Sequence, residues 1–197
     1  MTEKEKMLQG MMYDANNDPT LLREREAAKE LCYDFNHLRP SATAEQTALM
    51  KRLLGSTKGD FTIIAPFYCD YGYNIHIGEN FFANHNTVIL DGGAVTFGDN
   101  VFIAPNCGFH TAAHPIDTPR RNAGLEYAWP ITVGDNVWFG AGVQVLPGVT
   151  IGNNVVVGAG SVVNRDIPDN CVAVGNPCRV LRPITEEDKN TCFDYRK

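Results

Sequence analysis

From Val133 an apolar residue returns at every sixth position: Val133, Phe139, Val145, Ile151, Val157 and Val163. A second series follows each of them by four residues: Val137, Val143, Val149, Val155, Ser161 and Ile167. On a helix, where each residue turns by about 100°, steps of six would scatter these side chains over three sides. In extended chain the side chains alternate, and six and four are both even, so all twelve point the same way. Laid out as one strand the stretch would run on the order of 100 Å at ~3.3 Å per residue, so the chain has to turn. Turn residues stand at regular points: "GDN" from Gly134, "PG" at Pro147 and "GNN" from Gly152. Gly, Asn and Asp accept the backbone angles of tight corners. Short rungs with a corner every six residues predict a triangular coil of three rungs, one circuit running from Gly134 to Gly152.

The same signature occurs earlier, at Ile77, Ala83 and Ile89 and again at Phe97, Ile103 and Phe109. "GEN" from Gly78 and "GDN" from Gly98 mark equivalent corners, but they are two residues further apart than one regular circuit. A bulge near Gly92-Gly93 would absorb the difference. After Phe109 the register fails: the next three steps fall on Pro115, Arg121 and Tyr127, and the pattern resumes at Ile131 and Val133. A segment over 111–130, about as long as one coil, is therefore expected to leave the prism. Long loops on rigid scaffolds usually carry function. His114, in "TAAHPID", sits at the root of this one, and Pro115 biases it toward extended backbone. Imidazole is the side chain best suited to take a proton near neutrality.

Ahead of residue 56 the signals are helical. Thr2 with Glu5 has capping-box spacing and opens a short helix toward Met12. Asp18-Pro19 places a cap before a proline at the first helical position of "TLLREREAAKELCYDFN". Thr43 with Gln46 opens a third helix, "AEQTALMKRLL", which stops at Gly55. No catalytic motif lies here, and a lid or brace is the expected role. The predicted division is a helical segment 1–57, a coil domain 58–183 carrying the loop 111–130, and a tail 184–197.

Composition narrows the function classes. With 197 residues, 44% of them hydrophobic, the chain suits one globular domain with an appendage. A net charge of -6 argues against nucleic acid or an anionic membrane as the main partner. "MTEKEKMLQG" has no apolar h-region, and no apolar run is long enough to span a bilayer, so a cytoplasmic protein is expected. Six cysteines (Cys32, Cys69, Cys107, Cys171, Cys178, Cys192) form no C-x-x-C pair and read as reduced, buried thiols.

The repeats resemble the hexapeptide acyltransferases. Within them "YDFNHLRPS", "YGYNIHIGENFFANHN", "HPID", "PITVGDNVW", "PGVTIG" and "VGNPCRV" resemble the maltose and galactoside O-acetyltransferases, over almost the whole chain. The resemblance implies a mainly β fold, a left-handed parallel β-helix with an N-terminal helical segment and an extruded loop. It implies an acetyl-CoA-dependent transfer of acetyl to a sugar hydroxyl, in a homotrimer whose sites lie between subunits. His114 matches the family's general base. Asn84 matches the asparagine at the reaction centre, where it contacts acceptor or thioester. Asp14 matches an acidic residue that touches the sugar.

Two positions depart from the galactoside branch. Asp70 stands where that branch has serine, and Gly92 where it has a second aspartate; the neighbouring Asp91 either compensates or holds the bulge. These departures favour a maltose-like or glucose-like acceptor. Glu126 is a further candidate, to orient His114 or to bind acceptor. For the donor, the resemblance puts Trp138 beside the CoA channel, with Ala141 and Ala159 offering backbone contacts. Asn164 and Arg165 take the place of a Thr-Lys pair, and Arg179 and Arg182 match residues that meet the CoA phosphates, for which the arginine fork is well suited.

His110 lies four residues before His114, yet no third ligand has fitting spacing and no metal is expected. His37, His76 and His85 are assigned to packing or surface. Three other readings stay open: a zinc-dependent carbonic anhydrase built on the same coils, an acetyltransferase for a non-sugar acceptor, and a non-catalytic scaffold.

Overall fold

The computed structural model describes residues 1–190; residues 191–197, with Cys192 and half of the expected tail, lie outside the described residues. Short parallel rungs stack on three faces of a prism. The first face takes Ser56–Thr57, Ile75–Ile77, Val95–Phe97, Ile131–Val133 and Thr150–Ile151. The second takes Phe61–Ile63, Phe81–Ala83, Phe102–Ile103, Val137–Phe139, Val155–Val157 and Cys171–Val174. The third takes Phe67–Cys69, Thr87–Leu90, Gly108–His110, Gln144–Val145 and Val162–Val163. Arg179–Pro183 turns back antiparallel on Cys171–Val174 and ends the stack.

The six-residue register predicts the inside of this prism. Val133, Phe139, Val145, Ile151, Val157 and Val163 are all buried, as are Val137, Val143, Val149, Val155, Ser161 and Ile167. Each inward aliphatic or aromatic side chain contributes about 1.5–3 kcal/mol relative to exposure. Phe81, Phe97, Phe109 and Phe139 stack along the axis with centroids 5.1, 5.0 and 5.1 Å apart. The corners between first and second faces hold Asn80, Asn100, Asn136, Asn154 and Asn170, all with positive φ of 53–59°. Asparagine enters that region more cheaply than other side chains. There is a second reason for the "GDN" triplets. Asp99 accepts from Glu79 N at 2.9 Å, and Asp135 from Asp99 N at 2.8 Å, so each corner carboxylate caps the coil beneath it.

Four expectations about the fold are corrected. Thr43 does not cap the third helix: α3 spans Thr43–Leu53, its N-cap is Ala42, and no side chain caps it. α1 spans only Glu3–Leu8, because Gly10 takes φ 66° and breaks it before Met12. Ser56–Thr57 belongs to the first face rather than to the helical segment, since it pairs with His76 and Ile77. The Thr2–Glu5 capping box and the Asp18 cap of α2 (Pro19–His37) form as expected. The two extra residues near Gly92 widen a corner between the third and first faces instead of bulging a ladder, for Phe109 pairs with Ile89 and Ile131 with Val95 in regular register. All five cysteines among the described residues are free and buried. Among these residues no helix is long and apolar enough to cross a membrane.

Candidate active site

The loop leaves the prism at the edge between the third and first faces. Trp129 N donates to Thr111 O at 2.9 Å and closes its neck. Beyond the neck, Ala112–Ala113 pairs antiparallel with Leu125–Ala128, and α4 (Thr118–Asn122) closes the tip. The outer side of this hairpin is covered by the N-terminal segment: Tyr13 pairs with Glu126 and Asp14 with Leu125. The strand between α1 and α2 thus completes a three-stranded sheet around the loop root.

His114 follows this sheet directly. Its Nδ1 lies 3.1 Å from Leu125 O. A carbonyl only accepts, so that nitrogen carries the proton and Nε2 presents its lone pair. Glu126 Oε1 stands 3.7 Å from Nε2. Tyr13 OH donates to Glu126 Oε2 at 3.2 Å, and Asn16 Nδ2 to Oε1 at 3.4 Å. Burial first, and the Glu126 carboxylate next, push the Tyr13 phenol far above its ordinary range, so it remains a donor. Tyr13 and Asn16 are absent from the sequence reading; their only sequence signal is their nearness to Asp14, and it takes the strand pairing to bring them here.

The other acidic candidates separate by environment. Asp14 is half-buried, and its carboxylate accepts from Asn16 N at 3.2 Å, Asn17 N at 3.0 Å and Asn17 Nδ2 at 3.0 Å, which makes it a turn residue first. Asp91 is fully buried, accepts from Asp70 N at 3.0 Å and Tyr71 N at 2.8 Å, and holds the wide corner rather than facing a ligand. A side chain at Gly92 would be crowded, because its Cβ would sit 3.0 Å from Tyr13 OH and 3.1 Å from Ala128 Cβ, and these side chains would have to give by a few tenths of an ångström. Asp70 is held above the ordinary carboxyl range by burial, opposed by the Arg25 charge. It lines a cleft of about 660 Å³ with Asn16, Arg25 and Lys29 between α2 and the coils. The Tyr71 hydroxyl nearby is buried without a hydrogen-bond partner among the described residues.

Asn84 stands on the opposite edge of the third face, after the rung Phe81–Ala83. Its Oδ1 accepts from His85 N at 2.8 Å, which leaves Nδ2 as the donor of this half-buried amide. Ala141 and Ala159 share that edge and are exposed, and Trp138 lies exposed on the second face. At the end of the stack Arg179 bonds Asn164 Oδ1 at 3.1 Å, while Arg165 is exposed. Arg182 forms a two-pronged pair with Asp188 at 2.7 and 2.8 Å, so its fork is filled by its own chain rather than free for phosphate. His110 lies across Gly108 with Nε2 2.8 Å from Gln144 Oε1.

The family signature described as a maltose acetyltransferase hexapeptide capping motif matches residues 6–59, and that of the bacterial transferase hexapeptide, six repeats, matches 130–165. A Saccharomyces cerevisiae protein provisionally named an acetyltransferase is 57% identical over 98% of both chains. The crystal structure of a maltose O-acetyltransferase from Clostridium difficile 630 superposes with a TM-score of 0.92 at 52% identity, over 94% of this chain and 99% of that one. A galactoside acetyltransferase in complex with coenzyme A superposes with a TM-score of 0.94 at 43% identity, over 99% of this chain and 97% of that one. The chain belongs to the maltose and galactoside group of hexapeptide-repeat acetyltransferases. In this acetyltransferase the capping signature covers α2, α3 and the Tyr13–Asp14 strand that pairs with the loop at Glu126 and Leu125.

Proposed function

We propose that this acetyltransferase moves acetyl from acetyl-CoA directly to a hydroxyl of a maltose-like or glucose-like sugar, with His114 as general base. The observation that carries this reading is the His114 ring, fixed through Nδ1 to Leu125 O with Nε2 left free. The acceptor hydroxyl gives its proton to Nε2 as its oxygen attacks the thioester carbon. Asn84 Nδ2 donates to the oxyanion that develops. The intermediate collapses, the C–S bond breaks, and the imidazolium returns the proton to the departing thiolate. Arg165 and Arg179 receive the CoA phosphates.

Asn84 and His114 occupy different edges of one prism, which supports a site shared between copies. The faces are unequal. Beyond Thr62, outward residues of the second face are apolar, with Phe82 beside Phe102 and Trp138 beside Val156, whereas the first face presents Ser56, His76, Thr96, Thr132 and Thr150. Contact between two different patches of the same chain is heterologous and makes a closed ring when its rotation closes, which for three copies means 120° per step. In this homotrimer the Asn84 edge of one copy meets the loop of its neighbour.

The test is thiol release from acetyl-CoA over a panel of maltose, glucose, galactosides and amine acceptors. A glucosyl acceptor is expected to lead. His114→Ala is expected to lower turnover by about 10²–10⁴-fold with assembly unchanged. Near-normal turnover by that variant removes His114 as the base, and preference for an amine removes the sugar.

A further inference from the structure

Two lone-pair atoms face the place where the acceptor must arrive: His114 Nε2 and Glu126 Oε1, 3.7 Å apart. That distance is too long for a hydrogen bond between them, so Nε2 keeps its lone pair and Oε1, which already accepts from Asn16 Nδ2, keeps a second one for another donor. Hydroxyls on neighbouring or next-neighbouring carbons of a sugar are separated by a comparable distance. We propose that Glu126 is a specificity-determining residue that accepts a second hydroxyl of the acceptor, beside the hydroxyl that gives its proton to His114. The inference rests on the sugar-acetylating reading and deepens it: the substrate class is a diol or polyol, and an isolated alcohol is a poor acceptor.

Glu126 is built for this task. Its side chain is only 14% exposed, and it is held by Tyr13 OH on one oxygen and Asn16 Nδ2 on the other. The backbone beneath it is fixed by pairing with Tyr13, so little freedom is lost when a ligand binds. An ionised carboxylate only accepts, which suits a hydroxyl donor and rejects an ether or a missing group. Of the neighbouring carboxylates, Asp14 is engaged by the turn to Asn17 and Asp91 by backbone N–H groups, while Asp70 lines the cleft between α2 and the coils. Sites that hydrogen-bond a substrate hydroxyl discriminate strongly against its absence, because the buried partner is then left unpaired.

The experiment measures kcat/KM for the best sugar and for its monodeoxy analogues, with wild type, Glu126→Gln and Tyr13→Phe. On wild type, removal of the hydroxyl next to the acetylated position is expected to cost about 10- to 100-fold, the range for a bond to a charged group. Glu126→Gln is expected to show a similar loss on the parent sugar, chiefly through KM of the sugar, and no further loss on that one analogue. Such non-additivity marks a direct contact. Tyr13→Phe keeps the carboxylate and is expected to keep the discrimination. Additive losses in Glu126→Gln overturn the inference. So does a wild type that accepts every monodeoxy analogue as well as the parent, a result that does not depend on any variant folding. A wild type that acetylates no sugar at all defeats the broader reading instead, and this is visible before any variant is made.

Discussion

At the scale of single residues, one charge is placed against its own preference. Asp91 is buried in the wide corner, where it accepts backbone N–H bonds that favour its ionised form. Burial outweighs them and raises its pKa from 3.8 to about 6. The folded state therefore holds this proton more tightly than the unfolded chain does. Stability from this group is fully present below pH 3.8 and is lost as pH rises to about 6. Asp91→Asn removes the titration while keeping an oxygen for Asp70 N and Tyr71 N. Between those pH values the wild type is expected to lose about 3 kcal/mol relative to the variant, by urea unfolding. A difference that stays constant across the window contradicts the assignment. At this scale the sequence is a partial guide. His114 is legible as an isolated ring where a regular pattern fails, but its tautomer depends on Leu125 O, eleven residues on and across a hairpin.

At the scale of elements, the loop root and the aromatic stack are one construction. Phe109 packs edge-on against Phe97 below and Phe139 above, and His110 and the loop follow immediately. Phe109→Ala leaves a cavity midway along this stack. The expected cost is about 3–5 kcal/mol, seen as a lower urea midpoint, with turnover falling because the neck of the loop loosens. An unchanged midpoint would show that the column does not depend on its axis. Element periods were plain in the chain because a rung buries every second residue and every circuit repeats. Element ends were less plain. Thr43 has the spacing of a capping residue, yet Gln46 Nε2 turns to Arg39 O at 3.2 Å instead of completing the box.

At the scale of the whole molecule, the apolar second face and the two separated edges of candidate residues belong together. Phe102 is 42% exposed and Trp138 44% exposed, side by side on paired rungs. Phe102→Asp puts a charge in that surface without altering the inward side of the prism. Light scattering is expected to show a shift from the proposed trimer to monomer, and thiol release is expected to fall with it, since the proposed site draws on two copies. A trimer that persists through this change would move the contact to another face.

The chain by itself determined the prism, because burial in an extended coil follows parity, a local property that six-residue spacing records directly. It also determined where the prism opens, since a missed register needs no partner to be seen. Only the tertiary structure decided what stands in the opening. Tyr13 and Glu126 are 113 residues apart, and no period links them. Their bond exists because a short strand of the helical cap pairs with the loop, and such long-range pairing is set by the shape of the assembled surfaces rather than by any local preference.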